Sequence, residues 1–180
     1  DILPNAEKSK IVVYLPTFRG SIAKAKGSDK FDPGKLKRFR KEMVFLIKNH
    51  PFVKEPFDIR DEYRDFCTEI SDDISTDELI LGSDICITDY SSVVFEYSLM
   101  NRPILFFAYD IDEYDMERGF YYPYKEFVPG PIVYSMEQLS EAMESIEDFD
   151  YNRLDEFRKK YMSGCDGHAT EKILSELNIV

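Results

Sequence analysis

Apolar residues occur along this chain in short β-branched or aromatic blocks, not in long stripes. Ile11-Val12-Val13-Tyr14-Leu15, Val44-Phe45-Leu46-Ile47-Lys48, Ile85-Cys86-Ile87 and Pro103-Ile104-Leu105-Phe106-Phe107-Ala108 are apolar on both alternating sets of positions. That is the pattern of a strand covered on both faces of a sheet. Shorter strands are expected around residues 66–70 and at Ile132-Val133. Helical spacing fills the intervals. A helix over residues 31–41 takes Asp32 as cap and Pro33 in its first turn. Ser75 or Thr76 caps a short helix over residues 76–81. Ser91 or Ser92 caps another that turns Val94, Phe95, Leu99 and Met100 inward. Three more helices span residues 136–146, 151–161 and 168–177. Residues 52–64 read as a polar loop, and residues 110–131 as a long irregular segment. Its aromatic content argues that it packs and serves function. Strands alternating with helices predict an α/β fold, a doubly wound parallel sheet of the Rossmann-like type.

Ligands of such sheets bind outside the carboxyl ends of the strands. Thr17 to Gly20 follow the first block, His50-Pro51 the second, Thr88 to Ser92 the third and Tyr109-Asp110 the fourth, so the polar clusters converge on one edge. The turn Thr88-Asp89-Tyr90-Ser91-Ser92 sets two hydroxyls at a helix start, where unsatisfied N–H groups favour an anion. A plain helix cap is the competing reading. Pro51 holds His50 extended, where it can donate a proton or hydrogen-bond a phosphate, or simply bond backbone. Arg19 and Arg118 sit beside Gly20 and Gly119, in loops from which a guanidinium can grip a phosphate at two points; the plain alternative is a surface arginine. Asp110 and Asp112 form a carboxylate pair of the kind that holds a divalent cation, but their place at a helix start favours a capping role, and no metal site is expected. Asp166-Gly167-His168 reads as a turn into the last helix.

Composition narrows the partners. With 180 residues the chain suits one domain, and 43% hydrophobic residues suffice for a core. A formal net charge of −12 leaves no broad basic surface for nucleic acid, while a small phosphorylated ligand needs only local cations and backbone donors. The longest apolar run, Pro103 to Ala108, is too short for a bilayer span, and no signal-peptide pattern opens the chain. Cys67, Cys86 and Cys165 match neither a zinc pattern nor a disulfide framework, which fits a reducing cytoplasm. Gly-x-Gly-x-x-Gly and Walker loops are absent, so no NAD, ATP or other cofactor is suggested. A hydrolase built from Ser91, His50 and Asp110 lacks the Gly-x-Ser-x-Gly elbow and has the wrong residue order.

Tyr14-Leu15-Pro16-Thr17-Phe18-Arg19, His50-Pro51, Asp84 to Ser92, Tyr114 with Arg118-Gly119-Phe120-Tyr121, Pro129-Gly130-Pro131 and Asp166-Gly167 together resemble the CDP-glycerol glycerophosphotransferase family, the polymerases and primases of bacterial teichoic-acid synthesis. The resemblance implies the carboxyl-terminal, nucleotide-binding half of a two-domain GT-B transferase. Residues 1–10 would be a linker or cut edge, and residues 11–180 the nucleotide-binding domain with its carboxyl-terminal helices. The amino-terminal acceptor domain, with the family's second essential histidine, would lie outside this chain. The reaction implied is transfer of glycerol phosphate, or a related polyol phosphate, from a CDP-linked donor to a lipid-linked acceptor, releasing CMP. His50 would be catalytic. Thr17, Arg19, Thr88, Asp89, Ser91, Ser92, Asp110, Arg118 and Gly119 would bind the donor, without metal. The His-Pro and Ser-Ser pairing is similar to that of GT-B sialyltransferases. The full-length protein would be cytoplasmic and touch the inner face of the membrane peripherally; this half alone should be inactive. The alternatives are a GT-B domain using another nucleotide sugar such as CMP-sialic acid, or a non-catalytic nucleotide-binding or interaction module. The serine pair, His50 and the arginines are expected to surround one pyrophosphate-sized hollow.

Overall fold

The computed structural model describes residues 9–179. Six strands form one all-parallel sheet: β1 (Lys10–Leu15), β2 (Met43–Ile47), β3 (Cys67–Glu69), β4 (Ile85–Thr88), β5 (Ile104–Phe107) and β6 (Ile132–Val133). Their spatial order is β3-β2-β1-β4-β5-β6, with Val12 opposite Ile85 and Leu15 opposite Thr88 where β1 meets β4. Chain order reverses between those two strands, so the crevice beyond Leu15 and Thr88 is the topological switch point. The doubly wound parallel sheet read from the apolar blocks is the fold observed. The expected linker over residues 1–10 lies outside the described residues except at its end, where Lys10 already belongs to β1.

The alternation that makes strands also divides the core. Val13, Leu15, Cys86, Ile104 and Phe106 face one side of the sheet, under α1 (Thr76–Gly82), α2 (Val93–Ser98) and α6 (Tyr151–Tyr161). Val12, Tyr14, Ile85, Ile87, Leu105 and Phe107 face the other, under α5 (Met136–Glu144) and a 3₁₀ segment over Pro33–Phe39. Adjacent residues of one strand therefore serve two cores, which explains the uninterrupted apolar runs. α1 opens with a full capping box in which Ser75 and Glu78 exchange bonds.

Several expectations need correction. The segment 110–131 is not irregular: it carries α3 (Ile111–Arg118) and α4 (Tyr124–Phe127). Its helical spacing is obscured because α3 buries no residue and shows no apolar stripe. The segment expected as a helix over 31–41 is 3₁₀ over Pro33–Phe39, with Asp32 accepting from the Gly34 N–H as foreseen. Leu99 does not turn inward. α2 stops at Ser98, and Leu99 stands exposed in the turn that leads to Asn101, a residue with φ of +52°. The last helix, α7 (Ala169–Glu176), buries none of its side chains.

Candidate functional site

The carboxyl ends of β1 and β4 are stitched together by side chains. Thr88 donates its hydroxyl to the Leu15 carbonyl at 2.8 Å. Asp89 is fully buried, and its Oδ1 accepts from the Thr17 N–H at 2.9 Å, the Thr17 hydroxyl at 2.6 Å and the Tyr90 N–H at 2.6 Å. Burial pushes this carboxyl above its ordinary pKa, while Arg19, Thr17 and Tyr90 pull it back down.

Arg19 is the hub of this edge. Its Nε and Nη2 grip the two oxygens of Asp110, the latter at 2.9 Å; Nη2 also lies 2.9 Å from Asp89 Oδ2, and Nη1 donates to the Thr17 carbonyl at 2.7 Å. Burial opposes its charge, but the hydrogen bonds it donates to Asp110 and the field of Asp89 outweigh this and hold the guanidinium ionised. Tyr90 closes the set: its hydroxyl donates to Asp110 Oδ1 at 2.9 Å, and its ring stacks on Tyr114 at 3.9 Å under the Arg19 guanidinium. Arg19 is thus not a surface arginine, and both oxygens of Asp110 accept bonds from within the protein. Among the described residues no group of three His, Cys, Asp or Glu is placed to hold a metal ion.

Ser91 and Ser92 follow this network. Ser91, one residue before the cap position, accepts the Val93 N–H on its Oγ at 3.2 Å; Ser92 holds the cap position with helical dihedrals, makes no side-chain capping bond and is exposed. With Tyr114, Gly119, Phe120 and Tyr124 the two serines line an aromatic pocket of about 580 Å³. Tyr124 fixes its floor by donating to the Asp89 carbonyl at 2.8 Å.

His50 lies on the other side of the β1 loop. Its ring packs against Phe18 and Phe52, with centroids 4.8 and 4.7 Å away. Nδ1 accepts from the Phe52 N–H at 3.2 Å, so the neutral ring carries its proton on Nε2. Arg118 covers the Phe18 ring at 4.4 Å and donates to the Gly20 carbonyl at 2.7 Å. Partial burial, then the Arg118 charge, hold His50 below its ordinary pKa. Gly119 follows with φ of +70°, a left-handed turn that suits glycine.

The candidate residues therefore converge on one edge of the sheet but not on one hollow. Ser91, Ser92 and Gly119 line the aromatic pocket; Arg19 and Asp110 wall a separate polar groove; His50 and Arg118 line neither and flank Phe18 between them. Thr88 and Asp89 are buried; the Thr88 hydroxyl and Asp89 Oδ1 are bonded inside the protein and Asp89 Oδ2 is held by its ion pair with Arg19, so both residues hold the turn. Sequence reasoning passed over Phe18, Tyr90 and Tyr124, which tie these parts together. Their position beside Arg19, Asp89 and Pro123 was the available signal.

Residues 1–178 match the family model described as CDP-Glycerol:Poly(glycerophosphate) glycerophosphotransferase. A teichoic acid poly(ribitol-phosphate) polymerase of Bacillus spizizenii is 36% identical over 177 residues, which is 97% of this chain and 28% of that protein. A solved structure of the wall teichoic acid polymerase TagF superposes with a TM-score of 0.81 at 32% identity, covering 98% of this chain and 44% of the other. A variant of TagF soaked with CDPG superposes with a TM-score of 0.77, also at 32% identity, covering 98% of this chain and 43% of that one. The chain spans less than half the length of these relatives. By a match over residues 1–178 and by its fold, the chain belongs to the CDP-glycerol:poly(glycerophosphate) glycerophosphotransferase family.

Proposed function

We propose that this chain is the donor-binding domain of a transferase that moves glycerol phosphate, or a related polyol phosphate, from a CDP-linked donor to a teichoic-acid-type acceptor and releases CMP. The observation that carries the reading is that, in a chain of this family, an exposed serine hydroxyl and an imidazole whose Nε2–H is unclaimed both stand on the carboxyl edge of the sheet, on either side of the β1 loop. The CDPG soaked into the related TagF variant supports a CDP-linked donor here as well.

In this reading Ser91, Ser92 and the N–H groups behind them hold the donor phosphates. An acceptor hydroxyl attacks the phosphorus that bears the polyol. The bond from that phosphorus to the bridging oxygen breaks, and CMP leaves with the electron pair. His50 donates a hydrogen bond or its Nε2 proton to the departing phosphate, and Arg118, turned by Gly119, offsets the developing charge. Thr17, Arg19, Thr88, Asp89 and Asp110 act one step back, by fixing the turn that presents the serines. The acceptor, lipid-linked, and the base that takes its proton belong to an amino-terminal domain of the full-length enzyme, which would sit at the cytoplasmic face of the membrane. No helix among the described residues is long and apolar enough to cross one.

Titration calorimetry with CDP-glycerol, CDP and CMP tests the proposal. Binding of all three is expected, with CMP weakest because it lacks the second phosphate. A folded chain that binds no cytidine nucleotide would overturn it, and a preference for CMP-sialic acid over CDP-glycerol would replace the donor.

A further inference from the structure

The groove on the far side of Arg19 has a volume of about 1000 Å³ and is walled by the loops after β1, β2 and β5. Neither serine of the aromatic pocket reaches it, nor does His50. Its floor is built. Arg19 and Lys26 exchange backbone bonds at 2.9 and 3.0 Å, which fixes the entry to Gly27-Ser28. Gly27 leaves room for Asn49: a Cβ there would stand 3.1 Å from the Asn49 amide oxygen.

Two buried polar atoms lining this groove have no hydrogen-bond partner, Ser28 Oγ and Asn49 Oδ1, and Ser28 is only 6% exposed. Ser28 lies close to the phenols of Tyr14 and Tyr109, yet neither its hydroxyl nor that of Tyr14 attains bonding geometry with any group. Unsatisfied buried polar atoms are costly and uncommon, and here they line a cavity large enough for a ligand. The chemistry of the walls selects that ligand. Carboxylates outnumber cations six to four, and Glu55, Asp58 and Glu113 have no ion-pair partner among the described residues. Three unpaired carboxylates against one unpaired cation among the described residues, Lys26, favour an uncharged ligand over a phosphate. Hydroxyl groups can donate to the carboxylates and to Asn49 Oδ1 while accepting from Ser28, and Phe57 and Tyr109 add aromatic surface to the lining.

We infer that this groove binds an uncharged polyhydroxyl group, a sugar ring or an open-chain polyol, as a site separate from the donor cradle. The inference stands independently of the proposed donor, because the residues that carry it are not those that would hold the cytidine phosphates.

Amide chemical shifts of the ¹⁵N-labelled chain test it, with ribitol, methyl α-glucoside, inorganic phosphate and CMP as separate probes. Ribitol or the glucoside should move the amides of Gly27, Ser28 and Asn49. Asn49→Ala and Ser28→Ala should each weaken that response by about tenfold, the effect of losing one or two hydrogen bonds. Ser28→Ala removes an unpartnered hydroxyl and should keep its spectrum, so it reads the result even if Asn49→Ala disturbs the fold. No response to either polyhydroxyl probe would overturn the inference. So would a response to CMP or phosphate at these amides that the same substitutions abolish.

Discussion

Arg19 and Asp110, 91 positions apart, meet in a two-point fork: Nε and Nη2 of the arginine face the two carboxylate oxygens. The same guanidinium reaches Asp89, so one side chain ties the loop after β1 to the ends of β4 and β5. The side chains of Arg19, Asp89 and Asp110 are 17%, 0% and 11% exposed, which makes this a buried ion-pair network and not a surface bridge. Removing the cation from such a network leaves uncompensated charge, at about 3–5 kcal/mol. Arg19→Ala should lose that much in urea unfolding. Arg19→Lys, which keeps the charge but cannot fork, should fall between wild type and Arg19→Ala. A loss below about 1 kcal/mol for Arg19→Ala, the range of exposed pairs, would refute the buried-network account.

The two serines should separate in their effects. Ser92 is exposed and makes no capping bond, so Ser92→Ala should leave stability within about 0.5 kcal/mol while lowering affinity for CDP. Ser91 accepts from the Val93 N–H, so Ser91→Ala should also cost about 0.5–1.5 kcal/mol of stability, the net worth of one hydrogen bond. The double variant should bind CDP about 1–3 kcal/mol more weakly by calorimetry, the scale of hydrogen bonds to a charged group. Unchanged affinity in a folded double variant would remove the serines from the donor cradle.

The alternation of strand and helix, the parallel sheet and the edge that gathers Thr17, His50, Ser91 and Asp110 were all legible, because blocks such as Ile11 to Leu15 have no polar face to hide. What escaped was decided by tertiary geometry. α3 carries Asp112, Glu113, Asp115 and Glu117 with no buried face, so no periodicity marks it; Tyr114 and the loop around it hold it instead. The division of the site into an aromatic pocket and a polar groove depends on Tyr90, whose ring and hydroxyl reach Tyr114 and Asp110 from across the sheet edge. No local spacing encodes which neighbours a tyrosine will find. Arg19 read as a loop arginine for the same reason: its acidic partners are distant in sequence.

His50 carries a pH prediction. Burial and the Arg118 charge lower its pKa in the folded chain below the ordinary value of about 6.5. The unfolded chain therefore binds the proton more readily. This group's contribution to stability is full above pH of about 6.5 and is lost as pH falls from there through the folded pKa. Arg118→Gln removes the cation and should raise the His50 pKa, followed by the imidazole proton shifts in an NMR titration, and the acid-side loss should shrink. An unmoved titration would show that burial alone sets this histidine and that Arg118 is electrostatically remote from it.

Gly130 stands in the Pro129-Gly130-Pro131 turn, and a Cβ there would fall 2.0 Å from the carbonyl oxygen of Ile104, the first residue of β5. The obstacle is backbone, so no rotamer change relieves it. Relief requires the turn to move away from β5, which strains the bond from the Phe106 N–H to the Pro131 carbonyl, 2.9 Å long, and with it the pairing of β6. Overpacking of this kind costs about 1–3 kcal/mol. Gly82, the last residue of α1, is the matched control: a Cβ there meets nothing within 4 Å and its φ is not in the left-handed region, so alanine fits without strain. Gly130→Ala should therefore lower the urea midpoint while Gly82→Ala holds or raises it. Equal midpoints for the two variants would show that the Pro129–Pro131 turn is free to shift, and that β6 is not locked to β5 by this close approach.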